Sequence, residues 1–269
     1  MKWRYDPFDV FLESKTPAGL YARKKWLGQE TDPGYRRDEA ETVRVLLSGQ
    51  SSDGSWGRSF VRTIQRLFGL HLTVREDIEP VQRGLEWLVS RIPSGISPQG
   101  IRPMESLPPE ALPGLPFTRG SFGLLVTSAT LFLSSVFGRA EDPRIVRLYE
   151  ELQEKGSQGS GRWCGWSSYS NILRALVVHP HYARSRAVAL AVRNLREVQE
   201  RSGAWSGRVP FCQTVNALAH LDSAEADEQL ARAFDRVFRT QRKDGAWSRS
   251  QPEWNTFLVI HALKNKGEA

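Results

Sequence analysis

One phrase recurs along this chain and constrains its fold more than any other feature. It reads Gln50-x-x-Asp53-Gly54-Ser55-Trp56, then Gln199-x-x-Ser202-Gly203-Ala204-Trp205, then Gln241-x-x-Asp244-Gly245-Ala246-Trp247. Trp205 and Trp247 lie 42 positions apart, and a weaker copy, Gly161-Arg162-Trp163, lies 42 positions before Trp205. Each copy closes one helical pattern and precedes another. A fixed period of this size marks a fold built from repeated helix pairs.

Anchoring on the tryptophans divides the chain into five units. In the first, residues 35–49 read as a helix with Val43, Leu46 and Leu47 on one face, and residues 58–72 as its partner. The second pairs 78–91 with 121–137 across a Pro-rich insertion at about 93–116. The third pairs 143–155 with 167–178, the fourth 184–200 with 210–221, and the fifth 225–240 with 252–264. Residues 17–28 add one more helix after an N-terminal extension of about 16 residues. The whole of 1–269 is expected to form one domain.

The turn residues have a physical reason. Gly54 and Gly245 tolerate the left-handed backbone that ends a helix and reverses the chain. Pro210 and Pro252 suit the first turn of the next helix, where a missing N–H costs nothing. The Gln side chain can bridge to the backbone of an adjacent unit while the Trp covers it. Gln50, Asp53, Trp56, Gln199, Trp205, Gln241, Asp244 and Trp247 are therefore read as structural residues.

Stacked helix pairs form either an open superhelix or a closed ring. The second helices are apolar around most of their circumference, as in Leu124-Leu125-Val126 with Leu131-Phe132-Leu133 and in Phe257-Leu258-Val259-Ile260, so they belong inside. The first helices carry more charge, as in Arg232, Asp235, Arg236 and Arg239. The expectation is an all-α fold, an α/α toroid of about five to six hairpins with inner second helices and outer first helices.

No apolar run reaches membrane-spanning length, and Met1-Lys2-Trp3-Arg4-Tyr5-Asp6 lacks a signal-peptide core, so a cytoplasmic protein is expected. The net charge of +7 suits an anionic ligand or a peripheral contact with anionic lipid. No basic run or nucleic-acid motif accompanies it, and a nucleic-acid partner is not expected. Two cysteines, Cys164 and Cys212, make no disulfide framework.

The phrase Gln-x-x-Asp-Gly-x-Trp resembles the QW motif of squalene–hopene cyclases, oxidosqualene cyclases and related terpene cyclase domains. Protein prenyltransferase β subunits share the same helical toroid. The resemblance runs from about Pro17 to Lys264. The opening, Asp6-Pro7-Phe8 through Tyr21-x-x-x-x-Trp26-Leu27-Gly28, looks like a compact prokaryotic subgroup of these repeat proteins. The resemblance implies the toroid and an isoprenoid ligand or substrate.

The catalytic groups of that family are tested position by position. Its class II cyclases protonate an alkene or epoxide with an Asp of a D-x-D-D-T stretch at an inner-helix start. Thr63, Thr127, Ser170, Thr214 and Thr256 mark the register here. Among the four residues before each of them, Glu253 is the one carboxylate, and it is the candidate acid. Prenyltransferases hold zinc with Asp-x-Cys and His-Thr pairs. Cys212-Gln213-Thr214 matches the cysteine half, but Pro210 and Asn255 stand at the Asp and His positions, so no metal or cofactor is expected. His179 and His181 flank Pro180, and the other histidines, His71, His220 and His261, show no ligand spacing. The class I D-D-x-x-D stretch has only Arg36-Arg37-Asp38-Glu39-Ala40-Glu41 as a counterpart, a charged helix start.

A ring without these groups still offers converging helix N-termini, which favour a diphosphate or carboxylate. Arg58, Arg62, Arg119, Arg162 and Arg208 lie near those ends, and Phe122, Trp166, Tyr169, Phe211, Trp254 and Phe257 are the candidate apolar lining. The leading expectation is an isoprenoid-binding or terpene cyclase-like protein with a prenyl diphosphate or other isoprenoid ligand. The alternative is a non-catalytic scaffold that uses the 93–116 insertion to hold a protein partner. A metal-dependent prenyltransferase ranks last.

Overall fold

The computed structural model describes residues 3–92, 114–118, 120–163, 165–207 and 209–269. Among them are eleven α-helices and no strand. They are α1 (Pro17–Lys25), α2 (Pro33–Leu47), α3 (Phe60–Thr73), α4 (Glu79–Val89), α5 (Phe122–Val136), α6 (Pro143–Gln158), α7 (Trp166–Val177), α8 (Arg186–Glu197), α9 (Phe211–Leu218), α10 (Ala224–Thr240) and α11 (Pro252–Asn265). Short polar side chains start many of them. Thr16, Asp32, Ser59, Ser185 and Ser223 each accept a backbone N–H three residues on. Pro252 opens α11, whereas Pro210 is the residue before α9 rather than its first turn.

The odd-numbered helices form a closed inner ring. α1 packs on α3, α3 on α5, α5 on α7, α7 on α9, α9 on α11, and α11 returns to α1. α2, α4, α6, α8 and α10 lie outside. Burial follows this division. In α5, 13 of 15 residues are buried, whereas α2 buries only Tyr35 and Leu46. The chain is thus an α/α toroid. Its inner ring has six helices because residues 17–25, an extra helix in the repeat count, supply the sixth.

The repeated phrase clamps each unit to the next element. Gln50 Nε2 donates to Gly54 O (2.9 Å) in its own turn and to Pro80 O (2.8 Å) at the start of α4. Gln199 Nε2 donates to Gln229 O (2.9 Å) in α10. The fifth unit has no following helix, and the N-terminal segment takes that place. Gln241 Nε2 donates to Tyr5 O (2.9 Å), while Tyr5 N donates back to Gln241 Oε1 (3.2 Å). Trp3 packs against Phe238 and Trp247. One device therefore joins successive units and closes the ring.

The glycine of the phrase is required twice over. Gly54, Gly203 and Gly245 have φ of +90°, +84° and +77°. A Cβ on Gly203 would lie 2.1 Å from Arg232 O, and one on Gly245 would lie 2.1 Å from Asp6 O. Gly207 has φ +71° with nothing within 4 Å of a Cβ. Gly207→Ala is expected to cost only the left-handed backbone penalty, about 1 kcal/mol. Gly245→Ala adds a backbone clash at the ring closure and should cost about 3 kcal/mol or more. Urea denaturation of the two variants beside the parent checks the difference.

Candidate functional site

The inner ring is not solid. Its C-terminal half encloses a cavity of about 210 Å³ to which all six inner helices contribute. Tyr21 comes from α1, Phe68 and His71 from α3, Phe132 from α5, Arg174 from α7, Asn216 from α9, and Trp254, Phe257 and His261 from α11. Arg75 and His220, just beyond α3 and α9, complete the mouth. One wall is a stack of rings. Phe257 lies between Trp26 (5.1 Å between centroids) and Trp254 (5.2 Å), and Tyr21 meets it edge-on at 5.4 Å.

The opposite side is polar. Arg174 sits in the last turn of α7 with 6 % of its surface exposed. One guanidinium nitrogen, Nη2, donates to Asn216 Oδ1, and Asn216 is held in turn by donating to Leu258 O (2.9 Å). Nε and Nη1 are buried and have no acceptor. The guanidinium lies 5.7 Å from the Phe132 ring centroid, a cation–π contact. Burial pushes its pKa down to about 9, so it remains charged at neutral pH. No carboxylate stands among the described residues that line this cavity. Asn216 Oδ1, the C-terminal dipole of α7 and the Phe132 ring stabilise its charge.

Three histidines share the site. His220 and His261 have ring centroids 5.4 Å apart, and His71 lies edge-on to Phe132 at 5.8 Å. Each retains some accessible surface, but that surface belongs to the cavity wall. Burial pushes the pKa of His71 down to about 3, with Arg75, His261 and Arg174 adding to it. Burial pushes His261 down to about 4, helped by Arg174 and Arg75, and His220 well below its ordinary value, helped by Arg174, His261 and Lys266. All three are neutral imidazoles at pH 7.

The residues singled out from the sequence take several places. Trp254 and Phe257 line this cavity. Phe122 is buried in one apolar cluster and Tyr169 in another, where the Tyr169 hydroxyl donates to Ala191 O and half-buried Trp166 and Phe211 pack against it. Arg58, Arg62 and Arg162 are exposed at the opposite, N-terminal ends of α3 and α7. Arg58 stands 4.0 Å from Asp53 and Arg162 3.9 Å from Glu197. Arg119, Arg208 and Cys164 lie outside the described residues. So does most of the insertion, residues 93–113.

The insertion's described end turns inward. Leu115 and Phe117 are 2 % and 3 % exposed. Trp254 Nε1 donates to Leu115 O (2.9 Å), Thr118 N donates to Asn171 Oδ1 (2.7 Å), and Phe117 meets Phe132 edge-on. This segment fills the ring from the N-terminal side and leaves the cavity at the other end.

Glu253 lies outside that cavity, beside a second space of about 260 Å³ shared with Thr16, Gln65, Leu115 and Trp254. Its Oε2 accepts from Ser14 Oγ (2.9 Å) and its Oε1 accepts from the Thr16 hydroxyl. That is an acceptor's role at the start of α1, not the geometry of a proton donor aimed into the ring. Burial pushes the Cys212 thiol up to about 12, the reverse of what a zinc thiolate requires. His179 is enclosed by Tyr149 and Tyr182, and its Nδ1 accepts from His181 N. Among the described residues no three His, Cys, Asp or Glu side chains are grouped to hold a metal ion.

The sequence reading missed Arg174, and it set His71, His220 and His261 aside because they lack ligand spacing. Their signal was a basic residue inside an apolar run in or just after an inner helix, as in Leu70-His71-Leu72, Leu173-Arg174-Ala175, Ala219-His220-Leu221 and Ile260-His261-Ala262.

Comparison with known proteins locates the fold. No family model matches the chain, and no curated protein does. Solved structures do. A protein from Actinoplanes superposes with a TM-score of 0.62 at 19 % identity, over 96 % of this chain and 90 % of that one. The apo type II terpene cyclase MstE from Scytonema gives 0.59 at 16 % identity, covering 95 % and 89 %. A variant of MstE in complex with its substrate, geranylgeranyl dihydroxybenzoate, gives 0.56 at 14 %, covering 93 % and 87 %. The fold is that of these cyclases. No described helix is long and apolar enough to cross a membrane.

The neutral histidines set a pH dependence. A depressed native pKa means that the unfolded chain binds protons first as the pH falls, so stability is full above pH 6.5 and declines below it. Unfolding free energy is expected to fall between pH 7 and pH 4.5, by about 2 kcal/mol for each of His71 and His261. His71→Phe, set among Phe68, Phe132 and Phe137, should flatten that slope. Urea titrations at pH 7 and 4.5 measure it, and equal slopes for parent and variant would contradict a neutral His71.

Proposed function

We propose that this protein is a terpene cyclase-like toroid that binds a short isoprenoid in its central cavity. The observation that carries this reading is the aromatic-walled space built by all six inner helices. Such a wall suits an unsaturated hydrocarbon in shape and polarity. The repeated Gln/Gly/Trp clamp and the fold shared with MstE support it. The MstE neighbours hold geranylgeranyl dihydroxybenzoate and merosterolic acid A, and an isoprenoid is the corresponding ligand class here.

Size and chemistry refine the proposal. An apolar cavity of about 150 Å³ holds benzene, so about 210 Å³ takes roughly ten heavy atoms. With Leu115 and Phe117 in place, a five- to ten-carbon prenyl chain fits and a twenty-carbon chain does not. The lining supplies a cation, neutral imidazoles and aromatic faces, but no carboxylic acid among the described residues. Protonation of an unactivated alkene calls for a strong, positioned acid. The reading is therefore binding or transfer of a short isoprenoid, not proton-initiated cyclisation.

The scaffold reading has one observation in its favour, the burial of Leu115 and Phe117 inside the ring. A single experiment separates the two. Isoprenoid alcohols and acids of five, ten, fifteen and twenty carbons are titrated into the purified protein by calorimetry, and organic extracts of fresh protein are analysed by mass spectrometry. Binding is expected to peak at five to ten carbons. Absence of binding at every length, with no isoprenoid in the extract, would leave the scaffold.

A further inference from the structure

The guanidinium of Arg174 is the most anomalous group in the molecule. It lies in the last turn of an inner helix, almost wholly buried, with no carboxylate facing it from any lining element. The charged and titratable groups around the cavity are Tyr21 from α1, His71 and Arg75 from the α3 end, His220 after α9, and His261 from α11. None of them is a carboxylate. A buried cation with unmet donors is destabilising unless something compensates. Here the side chain is also held in place, because Asn216 fixes Nη2 and leaves Nε and Nη1 without an acceptor.

We infer that Arg174 is the receptor for the carboxylate of a mono-anionic ligand whose hydrocarbon lies against the Phe68, Phe132, Trp254 and Phe257 rings. The hydrocarbon part rests on the isoprenoid reading above, whereas the carboxylate part rests on Arg174 alone. Nε and Nη1 provide charge-assisted donors for the carboxylate oxygens. His220 and His261 line the same cavity, and a neutral imidazole carries one N–H donor without adding charge.

The charge count selects a carboxylate over a diphosphate. Most of the lining around Arg174 lies toward the C-terminal ends of the inner helices, where carbonyl dipoles oppose anions. One buried arginine balances one negative charge there. A diphosphate would bring further charge against those carbonyl ends, with only exposed Arg75 at the mouth to meet it. The exposed Arg58, Arg62 and Arg162 stand at the other end of the ring and cannot reach this group.

The test is a matched ligand series on the full chain. Geranate, geraniol, geranyl diphosphate and the straight-chain decanoate are titrated by calorimetry into the parent protein, Arg174→Met and Arg174→Lys. Geranate is expected to bind the parent about 10- to 100-fold more tightly than geraniol, the range for hydrogen bonds to a charged group. It should also bind more tightly than geranyl diphosphate. Arg174→Met should abolish the preference for acid over alcohol, and Arg174→Lys should restore part of it. Without ligand, Arg174→Met should unfold at the same or a higher temperature than the parent, since it removes an uncompensated buried charge. A purely structural arginine would give a lower temperature.

Equal binding of geranate and geraniol by the parent would overturn the inference, as would an acid preference that survives in Arg174→Met. Failure of every carboxylate to bind, or failure of both variants to fold, would also overturn it. Decanoate binding as tightly as geranate would uphold the carboxylate receptor and refute the isoprenoid preference. The two readings therefore fail separately.

Discussion

The structure depends on a glutamine side chain that spans two elements at once. A lone helix pair cannot bury its apolar face, so each unit needs its neighbour in a fixed position. Gln50, Gln199 and Gln241 fix that position by donating to a carbonyl of the next element, and the glycine four residues on lets that element approach. These bonds are backbone-directed. The partner sequence is therefore free to vary, and it varies from Pro80 at the start of α4 to Gln229 within α10 to Tyr5 in the N-terminal segment. The last substitution turns a stack into a ring, because the N-terminal segment offers the same carbonyl that a sixth outer helix would.

Closure creates the site. Six apolar helices around one axis cannot fill the space between them at every level, and the side chains that meet there determine whether it is core or cavity. On the N-terminal side Leu115 and Phe117 fill it from the insertion. On the C-terminal side the rings of Phe132, Trp254 and Phe257 stand back around Arg174 and three histidines. In a closed ring those groups have no route to bulk water except through the mouth, and their protonation follows from that enclosure. The imidazoles stay neutral, while the guanidinium, far more basic to begin with, stays charged.

The fold was legible in the sequence because its determinants are local and periodic. Helix starts, the positive-φ glycines and the apolar inner helices each announce themselves within a few residues. The inner and outer assignment followed from apolar circumference, which burial in α5 and α2 reproduces. The sixth inner helix was visible as residues 17–28, although its place in the ring depends on contact with α11, a long-range fact. The candidate site was less legible. Proximity to helix N-termini drew attention to Arg58, Arg62 and Arg162, which are exposed, and away from Arg174. Periodicity marked Trp254 and Phe257 but could not separate them from Tyr169 or Phe122, because an inner helix is apolar on faces that meet a neighbour as well as on the face that meets the axis.

Arg174 also explains why this toroid can differ in chemistry from one that carries an acid. A carboxylic acid kept protonated for alkene attack must be distant from positive charge, since a nearby cation would favour its ionised form. A fixed guanidinium in the same enclosed space works against such an acid and in favour of a bound anion. The two arrangements are electrostatic opposites built on one scaffold. In this chain Glu253, the carboxylate nearest the acid register, is turned outward to the hydroxyls of Ser14 and Thr16, where it ties α11 to the start of α1. The register carboxylate thus bonds across from α11 to the start of α1, and the described groups that line the cavity are positive or neutral.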